Sequence, residues 1–400
     1  MDLRSGLPYS LIKNGLMYNY PKLEESLETE IVILGGGISG ALVAYYLSKG
    51  GFKCVVVDER NIGMGSSCAS TSLLQYELDV PLVKLQKQVG YKNAVRAYEL
   101  CVQSILKLQD IAGDIELNDF QMKNSLYYAV SKKDVSFLKE EYQIRKDNNF
   151  EVRFLDGDEI KKEYGFKAPA AILSEVGAQT DSYAFTHKLH QYNLKNGCKI
   201  FDRSKVIKVR HGNNGVHLTT ENNKTIKGRY LIFATGYEVA NFIKKKIASL
   251  HSTYVTVSEQ ISGGNSFWKD DALIWNTDNP YMYMRTHDER IIVGGRDEKF
   301  YNPQKRDNLI NQKSKSLVKD FNKLFPEIKF DVELSWTGTF AATKDGLPFI
   351  GPYKPLPNSF FSLGFGGNGI TFSRVAGEII TDLILGKNNS DANIFSFERL

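Results

Sequence analysis

A glycine turn between an apolar strand and a helix constrains this chain more than any other feature. Residues 29–34 form a short run rich in β-branched side chains, the pattern of a strand buried on both faces. Gly35-Gly36-Gly37-Ile38-Ser39-Gly40 follows and fits G-x-G-x-x-G. The next dozen residues take helical spacing and stop at Gly50-Gly51. Cys54-Val-Val-Val-Asp58 is a second apolar strand, with its carboxylate 18 residues beyond Gly40. The whole reads as one right-handed β-α-β crossover. Gly35 permits the tight turn, Gly37 lets backbone approach a pyrophosphate, and Gly40 lets helix and strand pack closely. The helix start, with Ile38 and Ser39, offers free N–H groups and partial positive charge to phosphates. Asp58, followed by Glu59 and Arg60, is placed for the hydroxyls of an adenosine ribose. A dinucleotide site is expected. NAD and FAD share the same ADP half, so this motif alone leaves the choice open.

Two further glycine clusters narrow it. Thr235-Gly236 follows the apolar run Tyr230–Phe233 as a small-residue turn. Gly364-Phe365-Gly366-Gly367-Asn368-Gly369-Ile370-Thr371 opens a helix that runs to about Leu385. A glycine loop at a helix N-terminus points N–H groups and a positive dipole end at whatever lies before it. That suits the electron-rich ring of a reduced flavin.

Bulk numbers set the outer limits. In 400 residues, 51 Lys and Arg oppose 46 Asp and Glu, a net charge of +5 with no concentrated stripe. The densest basic run is Lys244-Lys245-Lys246, which reads as a solvated helix end or loop. No nucleic-acid partner is therefore expected. Cys54, Cys68, Cys101 and Cys198 have no metal or CxxC spacing, so no metal site is expected and a reducing, cytoplasmic setting fits. The longest apolar stretch is broken by glycines, which argues against a membrane span. Parallel-strand signals lie near both ends of the chain, with antiparallel-looking segments between. The expected fold is α/β: a Rossmann-like domain assembled from separated segments, with an inserted α+β domain on a mixed, largely antiparallel sheet. The expected division assigns 28–82, 150–245 and 334–400 to the nucleotide domain and 83–149 and 246–333 to the substrate domain. Residues 1–27 are read as an N-terminal extension.

Taken in order, these motifs resemble the D-amino-acid oxidase superfamily of FAD-dependent oxidoreductases, which includes glycine and sarcosine oxidases. The likeness to γ-glutamylputrescine-oxidase-like members is particular, and it covers nearly the whole chain. Its markers include residues 31–40, 55–58, Gly65-Ser66-Ser67, Ala234-Thr235-Gly236, Gly294-Gly295, 336–351 and 364–371. The resemblance implies non-covalent FAD. It places Ser66 and Ser67 at the pyrophosphate, the Val206 backbone at adenine, and the last glycine loop at the isoalloxazine. It also implies an amine or amino acid as substrate, oxidised at a C–N bond, with oxygen or a carrier as electron acceptor. Two alternatives remain: oxidation of a 2-hydroxy acid, and flavin binding without turnover.

The substrate end departs from the family pattern. Amino-acid-oxidising relatives usually carry an arginine in W-x-G-x-R-P-x-T-x-D-G, which pairs the substrate carboxylate. Here that position is Phe340, and the following proline is Ala341. A guanidinium fork is the natural partner of a carboxylate, so its loss favours an amine, or an acid held elsewhere. Arg285 is the expected replacement. In Tyr281-Met-Tyr-Met-Arg285, strand alternation puts Tyr281, Tyr283 and Arg285 on one face. Arg296, beside Asp297, reads as structural. Asn368 stands where relatives often carry histidine. No catalytic acid or base is assigned from the sequence.

Overall fold

The structure is a computed structural model that describes residues 1–243, 247–261, 267–363 and 365–399. Lys244, Lys245, Lys246 and Gly364 therefore lie outside the described residues.

Two sheets organise the chain. The first contains the expected crossover. Strand Leu27–Leu34 pairs in parallel with Cys54–Val57, which pairs in parallel with Lys199–Phe201. On its other side, Thr225–Phe233 and then Ser359–Leu363 continue the parallel set. Strands from residues 27, 54, 199, 225 and 359 thus share one sheet. Helices Ile38–Lys49, Ser182–Lys195 and Gly369–Ile384 contribute Leu42, Leu189 and Ile380 to the same core as Ile31, Ile33 and Val56. On the opposite side, hairpin strands Val206–Gly212 and Gly215–Thr220 feed Val216 and Leu218 into a second core with Val32 and Phe361. Both faces are buried, which is why these strands are apolar without alternation.

The second sheet has ten strands. All its pairings are antiparallel except that of Leu273–Asn276 with Gln121–Tyr128. The mixed, largely antiparallel sheet is present as expected. Strands Val152–Asp156 and Ala170–Gln179 belong to it, as do Leu73–Gln75 and Val332–Thr343. Near the N-terminus, Arg4–Gly6 pairs with Trp336–Gly338 in the same sheet. Conversely, helix Tyr91–Asp114 buries Tyr98, Cys101, Ile105 and Leu108 in the nucleotide-side core. Sheet membership is set by partners far away in sequence, so runs of local pattern do not reveal it.

Local signals set the element ends. Helices Leu82–Val89 and Tyr91–Asp114 are separated at Gly90, which takes φ +83°. Asp156 caps Gly157–Tyr164 by accepting from the Asp158 and Glu159 amides, and Glu159 reaches back to complete a capping box. Asp181 caps Ser182–Lys195 in the same way through the Tyr183 and Ala184 amides. All four cysteines are buried as free thiols. Among the described residues no helix is long and apolar enough to cross a membrane.

Candidate functional site

The two sheets meet around one cavity of about 660 Å³, within the range of small-molecule sites. One end is the first glycine turn. Gly35 has φ +111°, and a Cβ there would stand 2.4 Å from the Ala234 carbonyl. A Cβ on Gly40 would stand 1.9 Å from the Gly35 carbonyl, and one on Gly37 would stand 2.9 Å from Ser67 Oγ. Bare backbone is therefore required at these positions. Asp58 Oδ2 accepts the Gly36 amide at 2.7 Å and Oδ1 accepts the Arg60 amide at 2.8 Å. Burial raises the Asp58 carboxyl, while those two amides and Arg60 pull it down. Each oxygen keeps lone-pair capacity for a further hydroxyl. From beneath the turn, the ring of His190 meets the Gly36 carbonyl at 3.0 Å.

Nearly every expected cofactor residue converges on this cavity. Gly35, Gly37, Ile38, Ser39, Asp58, Glu59, Arg60, Ser66, Ser67, Val206, Thr235 and Gly236 line it from one side. Gly366, Gly367, Asn368, Gly369, Ile370 and Thr371 line it from the other, more than 300 residues away in sequence from the first turn. Gly40 lies behind the lining as the packing glycine. Ser67 does not stand free, since its hydroxyl accepts the Ile38 amide at 2.9 Å. Ser39 meets the Ser373 hydroxyl at 2.7 Å and so ties helix Ile38–Lys49 to helix Gly369–Ile384. Asn368 donates to the carbonyls of Gln75 at 3.0 Å and Glu77 at 2.9 Å, which fixes the third loop against the opposite wall. Arg60 is held by Glu238 and by the Met1 carbonyl.

At the far end the walls are the second sheet. Tyr281, Tyr283 and Phe340 line the cavity as expected. Arg285 does not. It is buried on the same strand face, but the loop carrying Thr71 covers it, and Nε donates to the Thr71 carbonyl at 2.6 Å. Its Nη1 has no hydrogen-bond partner among the described residues. Burial pulls its guanidinium down from the usual arginine value, with Asp119 and Asp181 opposing. The loop decides the matter: alternation gives the face, not what is laid over it. Cys68 is also buried behind the lining, and burial pushes its thiol up to about 11.

Residues without a motif complete this end. Asp79 accepts from Tyr281 Oη at 2.8 Å and from the Gly367 amide at 2.8 Å, bridging sheet and glycine loop. Gln75, Thr253, Val255 and Asp297 also line the cavity. Asp297 escapes a period-two reading, because Arg296 before it takes φ +58° and breaks the alternation.

The match to known proteins agrees with this geometry. Residues 30–383 fit the family described as FAD dependent oxidoreductase (DAO). The chain belongs to the FAD dependent oxidoreductase family. This oxidoreductase is 23% identical over 387 residues to γ-glutamylputrescine oxidoreductase of Escherichia coli (strain K12), covering 92% of this chain and 86% of that protein. It is 24% identical over 371 residues to glycine oxidase of Bacillus licheniformis, covering 89% and 93%. Among solved structures, L-proline dehydrogenase from P. horikoshii superposes with a TM-score of 0.77 at 20% identity, covering 94% and 97%. The family settles the choice that the first glycine turn left open, in favour of FAD. The residues fit that group: side-chain-free backbone and a helix N-terminus meet at Gly37, a half-buried carboxylate stands at Asp58, and a second helix start stands at Gly369.

Proposed function

We propose that this oxidoreductase oxidises a C–N bond of a small amine or amino acid. The observation that carries the reading is the continuity of one cavity. Its glycine-lined end suits the cofactor, and the same space runs on to Tyr281, Tyr283 and Phe340. FAD, when bound, supplies the acceptor for the hydride of the carbon bearing nitrogen. The substrate loses two electrons and two protons to become an imine, and water cleaves the imine to a carbonyl compound and the free amine. Oxygen or an electron carrier takes up the electrons.

The chain's own share is binding, orientation and electrostatics. The helix start at Ser39, with the Ser67 hydroxyl that the Ile38 amide holds in place, would meet the phosphates of bound FAD, and the loop 366–369 would hold its ring. The apolar and aromatic surfaces of Val255, Tyr281, Tyr283 and Phe340 position the substrate and exclude water. The names of the curated relatives, which act on an amine derivative and on glycine, support the C–N reading.

An anaerobic screen of the FAD-loaded protein tests it. Amines, amino acids and 2-hydroxy acids are mixed separately with the enzyme, and loss of flavin absorbance is followed. Bleaching by amines or amino acids, with ammonia or amine released on turnover, is the expected result. Bleaching by hydroxy acids alone, or by nothing, refutes it.

A further inference from the structure

The charge at the substrate end is negative, and a β-bulge makes it so. In strand Arg290–Glu298, Tyr283 of the neighbouring strand sits opposite Gly294, so Ile292 and Gly294 face the cavity side. Ile291 and Val293 face the other way, into the core shared with Met284, Leu317 and Phe321. Strict alternation would next aim Arg296 at the cavity and Asp297 away. The pairing slips between Ser252 and Tyr254: Ser252 stands opposite Glu298, but Tyr254 stands opposite Gly295. Thr253 therefore opposes two residues, and Arg296 takes φ +58°. Such a bulge re-aims the side chains that follow it. Arg296 turns outward to Asp320 on helix Ile310–Leu324, with Nε donating at 2.7 Å. Asp297 turns onto the cavity.

Asp297 presents an unsatisfied carboxylate oxygen there. Its Oδ1 is shielded from solvent and has no hydrogen-bond partner among the described residues. Asp79, by contrast, is occupied by Tyr281 and Gly367. The cationic side chains among the described lining residues are Arg60 and Lys205, both beside the Asp58 end and far along the cavity. Arg60 is already paired with Glu59 and Glu238. A substrate carboxylate entering the aromatic end would meet Asp297 and, among the described lining residues there, no cationic side chain. A substrate ammonium would meet an unsatisfied carboxylate oxygen, flanked by the rings of Tyr281, Tyr283 and Phe340, whose faces attract cations.

We infer that Asp297 anchors the ammonium group of the substrate, and that the enzyme takes cationic amines without a neighbouring carboxylate in preference to α-amino acids. This rests on the amine-oxidising reading above and narrows it. Burial pushes the Asp297 carboxyl up to about 6, with Asp79 adding to the effect and Thr253 and Lys313 opposing it, so it is still ionised at neutral pH.

The test joins binding with turnover in the full-length, FAD-loaded protein. tert-Butylamine is a cation with no hydrogen on the carbon bearing nitrogen, so it binds without being oxidised. Benzoate is the carboxylate probe. Each is titrated against the visible flavin spectrum of wild type and Asp297→Asn. Flavin bleaching is then compared within matched pairs: putrescine with ornithine, cadaverine with lysine, phenethylamine with phenylalanine. Expected results are tighter binding of tert-butylamine than benzoate in wild type, and at least a tenfold weakening of tert-butylamine in the variant. Each amine should bleach the flavin at least tenfold more efficiently than its amino acid. Preferred binding of benzoate, or tert-butylamine binding unchanged by the substitution, overturns the inference whatever bleaching shows. Failure of every amine and amino acid to bleach overturns the functional reading alone, because the binding titrations still decide the role of Asp297. Should Asp297→Asn not retain FAD, the wild-type comparison of tert-butylamine with benzoate decides.

Discussion

Replacing Gly40 with alanine should weaken FAD binding by about one to two orders of magnitude while leaving most of the fold intact. The added methyl would lie 1.9 Å from the Gly35 carbonyl oxygen, which is itself fixed because Gly35 packs on the Ala234 carbonyl. Comfortable contact needs about 3.5 Å, so helix and turn must separate by about 1.5 Å at this point. Such a shift exceeds the tolerance of a hydrogen bond. The Ser39 amide would then no longer reach the phosphates. A hydrogen bond to a charged group contributes about 1.5–3 kcal/mol. Losing one is about a 10- to 100-fold rise in the Kd for FAD. Equilibrium dialysis of the apoprotein against FAD, read by flavin fluorescence, measures it. Gly113→Ala is the matched control: nothing lies within 4 Å of its Cβ position in helix Tyr91–Asp114. It should leave FAD affinity unchanged and add up to about 1 kcal/mol of stability. A Gly40→Ala protein with FAD affinity within about threefold of wild type would refute the close-packing argument, and with it the assigned role of this turn.

Three other perturbations test other parts of the structure. Arg145 is fully buried between Glu141, at 2.7 Å, and Glu77, at 3.4 Å, and Glu141 also accepts the Leu82 and Val83 amides. Arg145→Met strands two buried carboxylates and should cost about 3–5 kcal/mol in urea unfolding; a loss under about 1 kcal/mol contradicts this. Burial pulls His187 down to about 4 and His190 to about 3, against 6.5 when exposed. The unfolded chain binds protons between these values while the folded one does not, so stability should fall as pH drops below about 6.5. The slope is up to about 1.4 kcal/mol per pH unit for each histidine. Replacing both with glutamine should flatten the profile between pH 6.5 and 4.5, and an unchanged slope argues against the assignment. For Asp297 the sign is opposite. Its carboxyl is raised from 3.8 to about 6, so the folded state holds its proton longer and stability is lost as pH rises through that window. The apoprotein of Asp297→Asn should therefore be the more stable at pH 7, by up to about 3 kcal/mol, and equal to wild type near pH 4. A variant less stable than wild type at pH 7 would mean that Asp297 holds the fold together instead.

The cofactor end was legible in sequence because its geometry is local. Residues 35–40 need particular backbone at fixed spacing, and only glycine supplies it where a neighbouring carbonyl stands 1.9 or 2.4 Å from the Cβ position. The same holds for helix caps such as Asp156 and Asp181, whose side chains bind amides two and three residues ahead. The substrate end was legible only in part. Tyr281, Tyr283 and Phe340 were found by strand alternation and by resemblance, and they line the cavity. Arg285 satisfied the same alternation and was misplaced by it, because a loop from residue 71 covers its face. Asp297 was missed because the bulge that aims it is created by pairing with Thr253, 44 residues away.

The glycine turn and the carboxylate that follows it could be read from residues 35–58 alone, since backbone freedom is a property of the residue. Which sheet each strand joins, which arginine is covered and which acidic side chain lines the cavity could not. Those depend on register between distant strands, and a slip of one residue exchanges a guanidinium for a carboxylate at the cavity wall.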